Sequence, residues 1–110
     1  DRNLMRQVLV NLIQNGIQAM EKGGILSIET RSEGGEWFVC HIRDTGVGIP
    51  EEYLSRIYEP FFSTKHAGTG LGLHVSQRII VSHGGSIRLD SQLGQGTTVT
   101  LRLPATEVPR

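Results

Sequence analysis

The chain has 110 residues, of which 14 are glycine, about twice the usual share of roughly 7%. Eleven Lys+Arg balance eleven Asp+Glu for a formal net charge of +0, and the basic residues are scattered singly, which excludes a domain built to neutralise a phosphate backbone. The length and a hydrophobic share of 37% predict one compact domain with its own core, and a single cysteine excludes an internal disulfide and fits a reducing compartment.

In chain order, residues Asn3 to Lys22 are predicted as one helix, because Leu4, Met5, Val8, Leu9, Leu12, Ile13, Gly16, Ala19 and Met20 recur at three- and four-residue spacings. Gly23-Gly24 stops it. Ile25–Arg31 and Glu36–Arg43 read as strands joined at Glu33-Gly34-Gly35, with Phe38, Cys40 and Ile42 facing one way and Trp37, Val39 and His41 the other. A glycine-punctuated loop, Asp44 to Pro50, leads into a short helix ending near Tyr58, and Glu59 to Thr69 has no period and reads as a loop. Gly70 to His83 is a second long helix, with Leu71, Val75, Ile79 and Ser82 on one face and Gly84-Gly85 as its cap. Strands Ser86–Asp90 and Thr97–Leu103 follow, the latter turning Val99, Leu101 and Leu103 inward; Ala105 to Arg110 is expected to fray. The predicted architecture is an α+β two-layer sandwich: a mixed, mostly antiparallel sheet covered on one face by helices. No apolar run approaches the ~20 residues of a membrane span, and no secretory signal is present. The chain opens on Asp1-Arg2-Asn3 without an initiator methionine, which points to a segment of a longer parent.

Four pieces carry possible chemistry. Asn11, Asn15 and Gln18 fall within about 60° of one another on the first helix. A solvent-facing stripe is the ordinary explanation, but such stripes usually carry charges, and these amides offer oxygen to a hard cation or N–H to an anion. Asp44-Thr45-Gly46-Val47-Gly48 is either an Asp-initiated turn or a carboxylate placed for an exocyclic amine, with two glycines admitting a flat ligand. Gly68-Thr69-Gly70-Leu71-Gly72-Leu73 opens a helix whose free N–H groups suit phosphate; it is neither a Rossmann fingerprint nor a Walker A loop. Gly94-Gln95-Gly96-Thr97 by itself is a hairpin turn.

Taken in order, Asn11 to Ala19, Asp44 to Pro50, Glu59-Pro60-Phe61-Phe62-Ser63-Thr64-Lys65, Gly68 to Leu73 and Gly94 to Thr97 resemble the N, G1, F, G2 and G3 boxes of sensor histidine kinases. The resemblance runs from Val8 to Leu103 and extends to the superfamily of gyrase, Hsp90 and MutL, with its Bergerat-type ATP-binding fold. Ile17-Gln18-Ala19-Met20 shares the wording of the nitrogen-regulation-like subgroup. It implies a catalytic and ATP-binding domain over residues 1–104, with the phosphoacceptor dimerisation domain absent from the chain. It further implies ATP and Mg²⁺ as cofactors, a histidine of the parent's dimerisation domain as acceptor, and a response regulator downstream. The domain itself is expected to be a cytoplasmic monomer without nucleic-acid or membrane contact.

Residue by residue, the resemblance assigns Mg²⁺ to Asn15 and the adenine amino group to Asp44, with Gly46, Gly48 and Ile49 lining that side. Thr97 helps hold adenine, Gln18 reaches phosphate without the charge many relatives carry there, and Gly68, Thr69, Gly70, Leu71, Gly72 and Leu73 form the phosphate-side loop. Residues from Ile49 to Thr69 would be a lid hinged at Phe61 and Phe62, with Lys65 and, in one reading, His66 available to phosphate. Asn11, Asn15 and Lys65 form the implied catalytic set. Hydrolytic members carry Glu where Asn11 stands, and an amide takes no proton, which favours transfer to an external nucleophile over water. None of His41, His66, His74 and His83 stands in the phosphoacceptor context, so the acceptor is sought elsewhere. A hydrolytic relative and a nucleotide-sensing module without catalysis are the alternative readings.

Overall fold

The computed structural model describes residues 2–49 and 72–105. The elements are α1 (Arg2–Gln18), β1 (Leu26–Glu33), β2 (Trp37–Asp44), α2 (Gly72–Ser82), β3 (Ser86–Gln92) and β4 (Gly96–Pro104). The strands form one sheet in the order β1-β2-β4-β3. Where the sequence allowed a mixed sheet, all three pairings are antiparallel. The short helix before Tyr58, the loop to Thr69 and the tail beyond Ala105 lie outside the described residues.

The core forms where the two periods meet. Met5, Val8 and Leu12 of α1 and Ile79 and Ile80 of α2 face Cys40, Ile42, Val99, Leu101 and Leu103 of the central strands, all at 9% exposure or less. Val8, Leu12 and Ile80 are essentially sealed, and each such side chain contributes roughly 1.5–3 kcal/mol of burial. Burial pushes the Cys40 thiol pKa up, so it packs as a small protonated hydrophobe. The opposite face of the sheet carries no helix among the described residues. There Arg102 lies 4.1 Å from the Trp37 ring centroid and bridges to Glu33, which also pairs with Arg31. Val39, between Arg31 and Arg102 in the ladder, is buried although it shares this face with Trp37.

Two helix expectations change. The first helix ends at Gln18 rather than Lys22, because the Ala19 carbonyl accepts the Val47 N–H at 3.1 Å and the Gly23 N–H turns back to Met20 at 2.9 Å. On α2 the most deeply buried positions are Ser76 and Ile80, with Val75 only half-buried and Ser82 exposed. A hydrophobic pattern passes over Ser76 because it is polar. The end of α2 is as expected: Gly84 adopts φ 82°, its N–H bonds Val81 at 2.9 Å, and the Gly85 N–H bonds Ile80 at 3.0 Å, the paired bonds of a Schellman cap. His83 closes the same end through Nδ1, 2.7 Å from the Ile79 carbonyl.

The Ser76 hydroxyl is the one buried side-chain polar atom without a partner among the described residues. An unmet buried hydroxyl costs about 1–3 kcal/mol, and alanine is the better helix former. Ser76→Ala is therefore expected to stabilise the domain by about 1 kcal/mol, raising Tm by roughly 4–8 °C in thermal unfolding. A lowered Tm would show that the hydroxyl is needed. No helix among the described residues is long and apolar enough to cross a membrane.

Candidate functional site

The inward face of the sheet is apolar along most of its length and polar at one end. Ile28, Ile42, Val99 and Leu89 form one ladder row; one pleat further along stand Leu26, Asp44, Thr97 and Ser91. Side chains two residues apart on a strand share a face, so these three polar groups continue the core-facing surface. Asp44 at 7% and Thr97 at 8% exposure are buried, and Ser91 is half-buried. Asp44 ends β2 and its Oδ1 accepts the Gly46 N–H at 2.9 Å. Ser91 Oγ accepts the Ile49 N–H at 2.7 Å, lies 2.8 Å from Thr97 Oγ1, and reaches the Gly96 carbonyl at 3.1 Å. Thr45 turns away and secures the chain entering β1, its Oγ1 accepting the Ile25 N–H at 3.0 Å.

Helix α1 passes over this end with Gly16. A Cβ at Gly16 would sit 2.7 Å from Leu26 Cδ1 and 3.8 Å from Asp44 Oδ2, so the glycine lets the helix lie close against Leu26 beside that carboxylate. Asn15, the neighbour of Gly16, and Asn11 one turn before it are half-buried, and Gln18 is exposed. The structure thus brings Asp44, Thr97, Gly46, Ile49 and the Gly16 turn of α1 together. Gly72 opens α2, which packs against α1, and Leu73 is half-buried against the core. Lys65, Gly68, Thr69, Gly70 and Leu71 lie outside the described residues, as do His66, Phe61 and Phe62.

The glycines of the Asp44 loop have a packing reason beside the one expected. A Cβ at Gly46 would meet the Ala19 carbonyl oxygen at 2.3 Å, and one at Gly48 the Gln92 carbonyl oxygen at 2.2 Å. Both admit the protein's own backbone, fastening the loop to the end of α1 and to the β3–β4 turn, where the Gly94 N–H also bonds Val47 at 2.7 Å. The sequence reading missed Ser91. Its signal was present: it occupies the inward phase set by Ile87 and Leu89, a polar residue where the alternation calls for an apolar one.

No group of three or more His, Cys, Asp or Glu among the described residues could cage a metal. An amide oxygen such as that of Asn15 is a hard ligand, and Mg²⁺ is commonly bound by one or two protein oxygens with substrate phosphates and water completing the shell. Of the other two histidines, His41 is a strand residue bonded to Thr100 Oγ1 at 3.0 Å, and His74 is half-buried on α2.

The profile of the histidine kinase-, DNA gyrase B-, and HSP90-like ATPase family matches residues 1–107. Sporulation kinase C of Bacillus subtilis (strain 168) is 42% identical over 104 residues, covering 94% of this chain and 24% of its own length. The signal transduction histidine-protein kinase AtoS of Escherichia coli (strain K12) is 45% identical over 104 residues, covering 94% of this chain and 17% of its own. The chain therefore spans about a quarter or less of these curated relatives. Among solved structures, the catalytic domain of histidine kinase ThkA in a nucleotide-free form is 36% identical with a TM-score of 0.84, covering 96% of this chain and 69% of that one. Full-length ShkA in complex with AMPPNP is 29% identical with a TM-score of 0.84, covering 94% of this chain and 22% of that one.

Proposed function

The chain belongs to the histidine kinase-, DNA gyrase B-, and HSP90-like ATPase family, on its histidine kinase side, and from that premise we propose that it binds Mg-ATP and donates the γ-phosphoryl group to a histidine on a separate helical dimerisation domain. The observation that carries the reading is the buried Asp44 carboxylate beside Thr97, one of its oxygens satisfied within the loop and the other without a donor among the described residues, on the side of Gly16. An accept-only carboxylate at that point takes the exocyclic amine of adenine and repels the carbonyl oxygen of guanine. Asn15 would hold Mg²⁺ on the phosphate side, where the ion neutralises charge on the transferring group. Gln18, at the exposed end of α1, adds hydrogen-bond donors, and Lys65 a positive charge. Asn11 offers no base to activate water, so the γ-phosphoryl waits for a nucleophile brought by the partner domain. By the same reading the domain works as a cytoplasmic monomer, and a response regulator takes the phosphoryl group onward.

The test is to mix the chain with the helical dimerisation segment of its parent and γ-labelled ATP. Acid-labile label on the partner's histidine, dependent on Mg²⁺ and lost in Asn15→Ala, is the expected result. The chain alone is expected to bind ATP and turn it over negligibly. Steady hydrolysis by the isolated chain that disappears in Asn11→Ala would replace this reading with that of an ATPase.

A further inference from the structure

Resting on the nucleotide reading above, we infer that Ser91 is a positioning residue: its hydroxyl sets the direction in which Thr97 presents its proton to the purine. Ser91 Oγ has one proton and already accepts the Ile49 N–H at 2.7 Å. Two groups can take its proton, the Gly96 carbonyl at 3.1 Å and Thr97 Oγ1 at 2.8 Å. If the proton goes to Gly96, Thr97 must donate back to Ser91 and shows only lone pairs to its surroundings. If it goes to Thr97, the threonine proton is released to point elsewhere.

A bound purine would select between the two. The ladder partner of Thr97 on β2 is Asp44, a group that only accepts when ionised. The ring nitrogen adjacent to the amino group of adenine also only accepts. The ring nitrogen calls for a proton from Thr97, and Thr97 can give one only when Ser91 is the donor across the 2.8 Å contact, which admits either hydroxyl as donor. The bound state is thus the one in which Ser91 donates to Thr97 and Thr97 donates into the site. Ser91 touches no ligand in this arrangement. It acts through Thr97, and it holds the loop in place through Ile49 at the same time.

The two roles separate in a double-mutant cycle read by calorimetric titration of the 110-residue chain with Mg-ADP. Ser91→Ala is expected to weaken binding about tenfold, the scale of one hydrogen bond. Ser91→Thr, which keeps the hydroxyl on a strand, is expected to recover most of that loss. In a Thr97→Val background Ser91→Ala should cost less than about twofold, because no threonine proton remains to be aimed. An equal loss in both backgrounds overturns the inference and leaves Ser91 a loop anchor only, as does an Ser91→Ala variant that binds like the parent. Thermal unfolding of each variant without nucleotide identifies one that has failed to fold, and the threonine variant then carries the comparison. Undiminished ADP binding by Asp44→Ala would instead remove the nucleotide reading itself, an outcome distinct from additivity between Ser91 and Thr97.

Discussion

Asp44→Ala is expected to weaken Mg-ADP binding by about 100-fold while leaving the domain folded. Asp44 is 7% exposed, and its Oδ1 is engaged by the Gly46 N–H. Its Oδ2 meets no donor among the described residues and lies on the side of Gly16, whose Cβ would stand 3.8 Å from it. A hydrogen bond to a charged group is worth about 1.5–3 kcal/mol, which sets the upper part of a 10- to 100-fold range, and burial on a water-poor sheet face places the effect at that upper end. The stability cost is smaller, about 1 kcal/mol for the Gly46 N–H left without its acceptor. Calorimetric titration and thermal unfolding on the same samples separate the two effects. Asp44→Asn gives a finer check: an amide can turn either oxygen or N–H₂ toward the ligand, so the preference for ADP over GDP should narrow even where ADP still binds. Equal ADP affinity in Asp44→Ala and the parent would withdraw the adenine assignment.

The inward alternation of β2 and β4, the two glycine stops, and the helical stripes of Met5, Val8 and Leu12 were legible in the sequence because each is a local periodicity with a local terminator. What was hidden depends on contacts made across the fold. The end of α1 is set by Val47, whose N–H takes the Ala19 carbonyl from a position 28 residues later. The α2 seam is centred on a serine, invisible to a reading based on apolar spacing. Asp44 and Thr97 were identified from motif order, yet it is the β2–β4 register that makes them neighbours, and no single-strand pattern contains a register. Ser91 was overlooked because the predicted strand stops at Asp90, one residue short of it, so its place in the inward phase of Ile87 and Leu89 and opposite Thr97 was not counted. The glycines show the converse. Gly46 and Gly48 were read as admitting a flat ligand, and the fold adds a second requirement: a Cβ at either would meet the protein's own carbonyls, so close packing of the loop also demands glycine there.

The same distinction makes the two glycines of Gly94-Gln95-Gly96 unequal. Gly96→Ala is expected to lower Tm by on the order of 15 °C, and Gly94→Ala by only about 5 °C. Both have left-handed φ, 118° at Gly96 and 82° at Gly94, which costs an alanine about 1–2 kcal/mol. Their surroundings differ. A Cβ at Gly94 would meet nothing within 4 Å, so the conformational cost is the whole effect. A Cβ at Gly96 would stand 2.1 Å from the Asp44 carbonyl oxygen and 3.0 Å from both Asp44 C and Thr45 Cα. These are backbone atoms of the paired strand and cannot rotate aside, so β2 and β4 must part where Asp44 faces Thr97, adding about 1–3 kcal/mol of overpacking. Because that displacement falls on the Asp44–Thr97 pair, Gly96→Ala should also lose ADP binding at temperatures where it is still folded, whereas Gly94→Ala should bind as the parent does. Asparagine, which tolerates left-handed backbone, should recover most of the loss at 94 and none of it at 96. Equal effects at the two positions would mean that the motif is a turn and nothing more; unequal ones assign Gly94 to the hairpin and Gly96 to the floor of the purine site.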